Sequence, residues 1–386
     1  MKHRFENFGG IIASDEPPFL AFVDREFMRE MGLGESPLWK SSDDTIGLLS
    51  APTEVHLATT EACPVQCRHC YMSAKEGETG ELTTEKLKAA LEVLAEMGVF
   101  HVALGGGEAL VRSDLFEIAT YTRELGMVPN LTVSGALMTA QIAQQMKLFG
   151  QINVSVDGVG LRYGVFRSQD RFDDAHRAIK MLLDAGVSTG INCVVGRRNF
   201  DGIPELFQYA KEHGLNEIEF LRFKPVGRGS KSYLLERTTY EQNLSLLPML
   251  SKLSERHGLC AKIDCSFIPM LCAHNPPRQL LETTATYGCE AGNVLLGIRS
   301  DGSVSGCSFL QGEGLSVFDL RAAWASDENL EKLRTWPRRA PEPCRSCPYL
   351  DICKGGCHAV SAAVTGNIDA PDPDCPRVAR FQAESE

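Results

Sequence analysis

Between residues 54 and 225, short β-prone runs alternate with apolar residues at helical spacing. Glu54-Val-His-Leu-Ala-Thr-Thr60 reads as a strand. Thr83 stands where it can cap a helix whose Leu87, Leu91, Leu94 and Met97 share one face. Phe100–Leu104 is the next strand, followed by a helix after Ser113-Asp114, a strand near Leu131–Ser134 and a helix from about Thr139. The series continues as strand 152–156, helix 171–185, strand 188–195, helix 203–213 and strand 217–223. In strand 188–195, Ser188, Gly190 and Asn192 fall on one face, a small polar one suited to a barrel interior. Cys193 falls on the other face, toward packing helices. Six β/α units of this kind imply parallel strands with right-handed crossovers. Ligand loops then lie at the carboxyl ends of the strands.

The flanks differ. Residues 1–53 hold two apolar runs, Gly9–Ala13 and Phe19–Val23, around Asp15-Glu-Pro-Pro, which predicts a hairpin and then a short helix near Arg25–Met31. Residues 226–285 read as a bridge with one long helix within 239–256. Residues 286–386 turn to cysteine, glycine and proline, too few apolar side chains for a core of their own.

Composition adds exclusions. The 386 residues are 43% hydrophobic with net charge −11 and no basic stretch, which argues against nucleic acid as a partner. No apolar run reaches the roughly 18 residues that would span a bilayer. The first residues lack the apolar core of a signal peptide. The expectation is a cytoplasmic protein without membrane contact. Its 14 cysteines then point to metal or redox chemistry rather than disulfides.

Cys63-Pro-Val-Gln-Cys67-Arg-His-Cys70 follows the first barrel strand. Three thiolates so close can ligate three irons of a 4Fe–4S cluster, leaving the fourth iron to a small chelating molecule. A zinc site closed by His69 is the alternative, but His69 adjoins Cys70, which makes tetrahedral closure by both awkward. The motif resembles the cluster loop of radical S-adenosylmethionine (SAM) enzymes. Other strand ends fit that resemblance. Gly105-Gly106-Gly107-Glu108 follows the second strand and is similar to the segment that binds the SAM amino group, with Ala109 where many members have proline. Ser134 ends the third strand, and Ser155-Val-Asp157 ends the fourth. The resemblance gives them contacts to the ribose and methionine parts of SAM, although turn chemistry suits Asp157 equally. Arg167 matches an arginine that pairs the SAM carboxylate, a bidentate role suited to a guanidinium.

Downstream stand Cys289, Gly302-x4-Cys307, Cys344-x2-Cys347-x5-Cys353-x3-Cys357 and Cys375. This order closely resembles the SPASM extension of radical SAM enzymes. The resemblance implies two auxiliary 4Fe–4S clusters, three clusters in all. Cys289, Cys307 and Cys357 would hold the first auxiliary cluster. Cys344, Cys347, Cys353 and Cys375 would hold the second. The first lacks a fourth ligand; Cys272 is the nearest upstream thiol, and an open iron is the other option. A zinc ribbon is the competing reading of the C-x2-C pair.

The fold class implied is α/β: a partial (β/α)6 radical SAM barrel at 54–225, a bridge at 226–285 and a cysteine-rich SPASM domain at 286–386. The activity implied is reductive cleavage of SAM to a 5′-deoxyadenosyl radical, hydrogen abstraction, and oxidation of a peptide or protein side chain. An external electron donor such as flavodoxin or ferredoxin is expected. Tetrapyrrole maturation, sulfatase-maturase-like oxidation and epimerisation are alternatives; the last needs a thiol donor, for which Cys260, Cys265 and Cys272 are candidates. A simple iron–sulfur carrier would leave Glu108 and the strand-end serines unexplained.

Overall fold

The computed structural model describes residues 1–40, 47–75, 80–167, 171–312 and 314–385. Its N-terminal unit is β1 (Lys2–Glu6), β2 (Gly9–Asp15), β3 (Pro18–Asp24) and helix α1 (Arg25–Glu30), with all strand pairs antiparallel. The β2–β3 hairpin and α1 fall where expected; β1 is additional. Its residues look too polar for a packed strand, but Arg4 is buried with its charge spent. Its Nε donates to Glu6 (2.7 Å), and its Nη atoms donate to the carbonyls of Ala51 (2.7 Å) and Pro52 (2.8 Å).

The barrel begins with β4 (Glu54–Thr60), α2 (Thr84–Glu96), β5 (His101–Gly106), α3 (Leu115–Glu124) and β6 (Val128–Val133). It continues through α4 (Ala140–Gln145), β7 (Ile152–Ser155), α5 (Phe172–Asp184), β8 (Thr189–Val195), α6 (Ile203–Glu212) and β9 (Glu217–Arg222). Neighbouring strands are parallel throughout. Thr83 and Thr139 cap α2 and α4 through their hydroxyls. One apolar core lies between the sheet and its helices and includes the buried Cys193.

The alternation does not stop at 225. After the short α7 (Tyr233–Glu236), α8 (Tyr240–His257) starts in a Thr239–Gln242 capping box. It leads to β10 (Cys260–Ile263), which pairs parallel with β9, and then to α9 (Ile268–Cys272). At the other edge, β11 (Leu295–Ile298) pairs parallel with β4 and antiparallel with β12 (Val304–Ser305). The sheet therefore has nine strands, in the order β10-β9-β8-β7-β6-β5-β4-β11-β12. The bridge adds one strand to the barrel sheet and the cysteine-rich segment adds two, so neither is separate from it. Local patterning cannot reveal this, because pairing partners distant in sequence leave no periodicity.

Among the described residues no helix is long and apolar enough to cross a membrane. The N-terminal sheet sits where β4–β6 begin, against Phe100 and the ends of α2 and α3. That is the end opposite the Cys63–Cys70 loop. The lumen between is polar. Asn153 donates to Asn192 (2.6 Å) and Glu219 (3.2 Å), and His56 lies between Glu54 (3.2 Å) and Ser308 (3.1 Å).

Candidate active site

Cys63, Cys67 and Cys70 leave the end of β4 as a loop with all three thiols partly exposed. Two features pin it. Arg228 donates from Nε to the Cys67 carbonyl (2.8 Å) and from Nη1 to that of Ala74 (2.5 Å). The end of β5 also runs against the loop, with the Gly107 and Glu108 amides donating to Thr60 and Ala62. A Cβ on Gly106 would sit 2.1 Å from the Thr60 carbonyl oxygen, and one on Gly107 2.2 Å from that of Ala62. These two glycines admit the cysteine loop. Gly105 is the one with open space beside it.

Glu108 is almost fully buried, and burial pushes its carboxyl above the ordinary value. Its Oε2 accepts the Ser134 amide (2.9 Å) and hydroxyl. Its Oε1 is buried without a partner. An unsatisfied buried carboxylate oxygen is costly unless a donor arrives. Ser134 thus aims Glu108 rather than standing apart from it. Ser155 lies half-buried at the end of β7.

Asp157, expected to offer its carboxylate to a ribose, is turned inward. Its Oδ2 meets Arg167 Nε (2.9 Å) and His69 Nε2 (3.1 Å), and its Oδ1 accepts the Val194 amide (2.9 Å). Burial would raise its pKa, but Arg167 and His69 hold it well below the carboxylate range. Arg167, with Asp157 on Nε, brings Nη1 to 3.5 Å from Cys67 Sγ and stacks over Tyr163. It therefore faces the cysteine loop. His69 packs beside the rings of Phe166 and Phe223 with Nε2 spent on Asp157, which removes it as a zinc ligand through that nitrogen.

The C-terminal thiols gather in two groups. Cys289, Cys307 and Cys357 lie within reach of one another's charge. Cys344, Cys347, Cys353 and Cys375 line one small cavity. Two successive glycines with positive φ, Gly355 and Gly356, turn the chain between Cys353 and Cys357. Burial, and behind it the neighbouring thiols, push Cys289 and Cys344 up to about 12. Such thiols ionise together only around a cationic centre, and metal binding releases their protons. Among the described residues, no three Cys, His, Asp or Glu converge closely enough for a single ion.

Sequence reasoning named Cys265 only as a candidate thiol donor, and it passed over the clamps Arg228 and Arg222. Arg222 is buried and bonds both Asp372 (2.6 and 2.9 Å) and Asp374 (2.8 Å). Only the Asp372-x-Asp374 pair just before Cys375 hints at it.

A parallel barrel with a three-cysteine loop after its first strand, and a buried, half-unpaired glutamate after its second, defines an enzyme that handles SAM at an iron–sulfur cluster. The chain belongs to the radical SAM superfamily, whose domain matches residues 57–210, and it carries a SPASM-type cysteine-rich C-terminus. Family membership brings a 4Fe–4S cluster and SAM as cofactors. The chain is 30% identical to mycofactocin maturase MftC of Mycolicibacterium smegmatis over 85% of its own length and 83% of the relative's. It is 28% identical to the AdoMet-dependent heme synthase of Methanosarcina barkeri, over 86% and 98%. Among solved structures, Streptococcus suis SuiB bound to its precursor peptide SuiA superposes with a TM-score of 0.77 at 17% identity, over 97% of this chain and 98% of that one. That last likeness is one of fold.

Proposed function

We propose that this enzyme oxidatively modifies a side chain of a peptide or protein, using three 4Fe–4S clusters. Cys63, Cys67 and Cys70 would hold the first. Cys289, Cys307 and Cys357 would serve one auxiliary cluster, and Cys344, Cys347, Cys353 and Cys375 the other. When bound, the cluster and SAM together supply a carbon radical able to take hydrogen from an unreactive C–H bond. The chain's own residues bind, aim and shield. The observation that carries the reading is the unpartnered Oε1 of Glu108 beside the three-cysteine loop, a place for the SAM ammonium. Arg167, fixed by Asp157, would take the SAM carboxylate. Ser134 orients Glu108, Ser155 would meet the ribose, and Gly106 and Gly107 let Glu108 stand so close to the loop.

A peptide substrate is supported by two observations. The relative at 30% identity is a maturase. β3 is an edge strand, able to take an extended segment by strand addition. An external one-electron donor of flavodoxin or ferredoxin type would reduce the first cluster. Maturation of a tetrapyrrole is the second reading, supported by the heme synthase relative.

The test is a mass spectrum of the natural partner after anaerobic reaction with SAM and reductant. A peptide lighter by two hydrogens per event is expected, with Cys344→Ala/Cys347→Ala still cleaving SAM but giving no product. Turnover of a porphyrin with no change in any peptide would sink the peptide reading and leave the radical chemistry standing.

A further inference from the structure

We infer that Cys265 supplies the fourth thiolate of the auxiliary cluster at Cys289, Cys307 and Cys357, and that Cys272 does not. This rests on the reading that residues 289–375 hold two auxiliary clusters. Counting back along the sequence points to Cys272, which is closer to Cys289 than Cys265 is. The fold reverses that order.

Two independent clamps bring Cys265 to the first group. Arg222 donates from Nη1 to the carbonyl of Ser266 (3.2 Å), the residue after Cys265, and to Asp372 Oδ2 (2.6 Å). The same Asp372 oxygen accepts the Cys357 amide (2.9 Å). Cys265 and Cys357 are thus moored to one buried ion pair. Lys224 makes the second clamp. Its ammonium meets Asp264 Oδ2 (2.5 Å), beside Cys265, and lies 4.1 Å from the ring centre of Phe309, two residues past Cys307. Cys265 also lies within reach of the charges of Cys289 and Cys357. Cys265 itself is exposed, not packed into the core.

Cys272 belongs elsewhere. It is buried at the end of α9, packed with Cys347 and Cys353. It lines the same cavity as Cys344, Cys347, Cys353 and Cys375. A cube takes one thiolate per iron. The second group already has four, so Cys272 is a fifth thiol held against a ligand sulfur. The first group has three and becomes complete with Cys265. Neither auxiliary cluster then has an open iron, so substrate cannot bind directly to one. The only open iron in the chain is the one that takes SAM.

The experiment uses the full chain, reconstituted anaerobically and saturated with SAM, with 13C-labelled cyanide as the probe of open iron. The wild type should contain about 12 irons and show no 13C coupling to any reduced cluster. A wild-type count near eight would instead overturn the two-cluster reading, before any variant is made. Cys265→Ala should either gain one cyanide-coupled cluster or fall by about four irons with the other two clusters intact. Cys265→Ser, which can offer an oxygen ligand, should keep its iron and shift the EPR spectrum of one cluster. Cys272→Ala should keep about 12 irons and bind no cyanide. Cyanide binding to the SAM-saturated wild type would overturn the assignment. So would Cys265→Ala with full iron and no cyanide, or loss of a cluster from Cys272→Ala.

Discussion

At the scale of single residues, Glu108 sets the chemistry of SAM binding. Glu108→Gln keeps the shape and removes the charge. Charge-assisted hydrogen bonds contribute about 1.5–3 kcal/mol, so SAM affinity should fall roughly ten- to a hundred-fold with the cluster retained. Unchanged affinity in equilibrium titration would reduce Glu108 to a turn residue. The pH dependence has a definite sign. Burial raises the Glu108 pKa, so the protonated acid stabilises the SAM-free protein at low pH, and that contribution is lost as pH rises through the raised value. SAM needs the charged form, so affinity should weaken as pH falls into a window above the usual carboxylate range. Glu108→Gln should abolish that trend; a wild-type affinity flat from about pH 8 to about pH 5 would contradict it. Gly107→Ala is the steric counterpart. A methyl group 2.2 Å from the Ala62 carbonyl must displace the cysteine loop. Reconstituted protein should lose the iron of that loop and keep the auxiliary iron.

At the scale of elements, the local pattern was informative where elements are amphipathic and capped. Thr83, Thr139 and Thr239 mark helix starts that the fold keeps. It failed where identity depends on a partner far away. β1 reads as a charged run because Arg4 and Glu6 neutralise each other inside. β10 and β11, four residues each, become strands because β9 and β4 are there to receive them. Site residues followed the same rule. Spacing alone exposed the cysteine motifs and Glu108, but which thiol faces which group was decided by Arg222 and Lys224. The Arg222–Asp372 pair, 2% and 0% exposed, ties β9 to the last cysteine segment. Removing one partner of a buried pair leaves an uncompensated charge and costs about 3–5 kcal/mol. Arg222→Leu, which strands the buried Asp372 carboxylate, should therefore lower stability to chemical denaturation by about that amount and weaken retention of auxiliary iron. A loss below about 1 kcal/mol would mean that solvent reaches Asp372.

At the scale of the whole molecule, barrel and cysteine-rich segment share one sheet. Residues 54–285 alone would expose the β4 edge now paired with β11, and unpaired edges invite aggregation. That fragment should be insoluble or oligomeric by size-exclusion chromatography. A soluble monomer that binds SAM would show that the C-terminal segment is dispensable to the barrel.

The pairing of β4 with β11 also governs the order in which the molecule can be completed. Thr53 bonds Val294 across 241 positions. β5 can join β4 early in synthesis, but the other neighbour of β4 is made only after nearly all the remaining barrel. Contacts of such long separation form late. Until then one flank of β4, just ahead of Cys63, Cys67 and Cys70, stays open on a growing chain. The same closure draws in Phe309, which lies 4.9 Å from Tyr71, the residue after Cys70. Iron delivery to the first three cysteines can therefore precede the folding of residues 295–309. A ribosome-bound chain ending before residue 289 should accept one cluster's worth of iron, about four atoms, and the remainder only when the rest of the chain emerges.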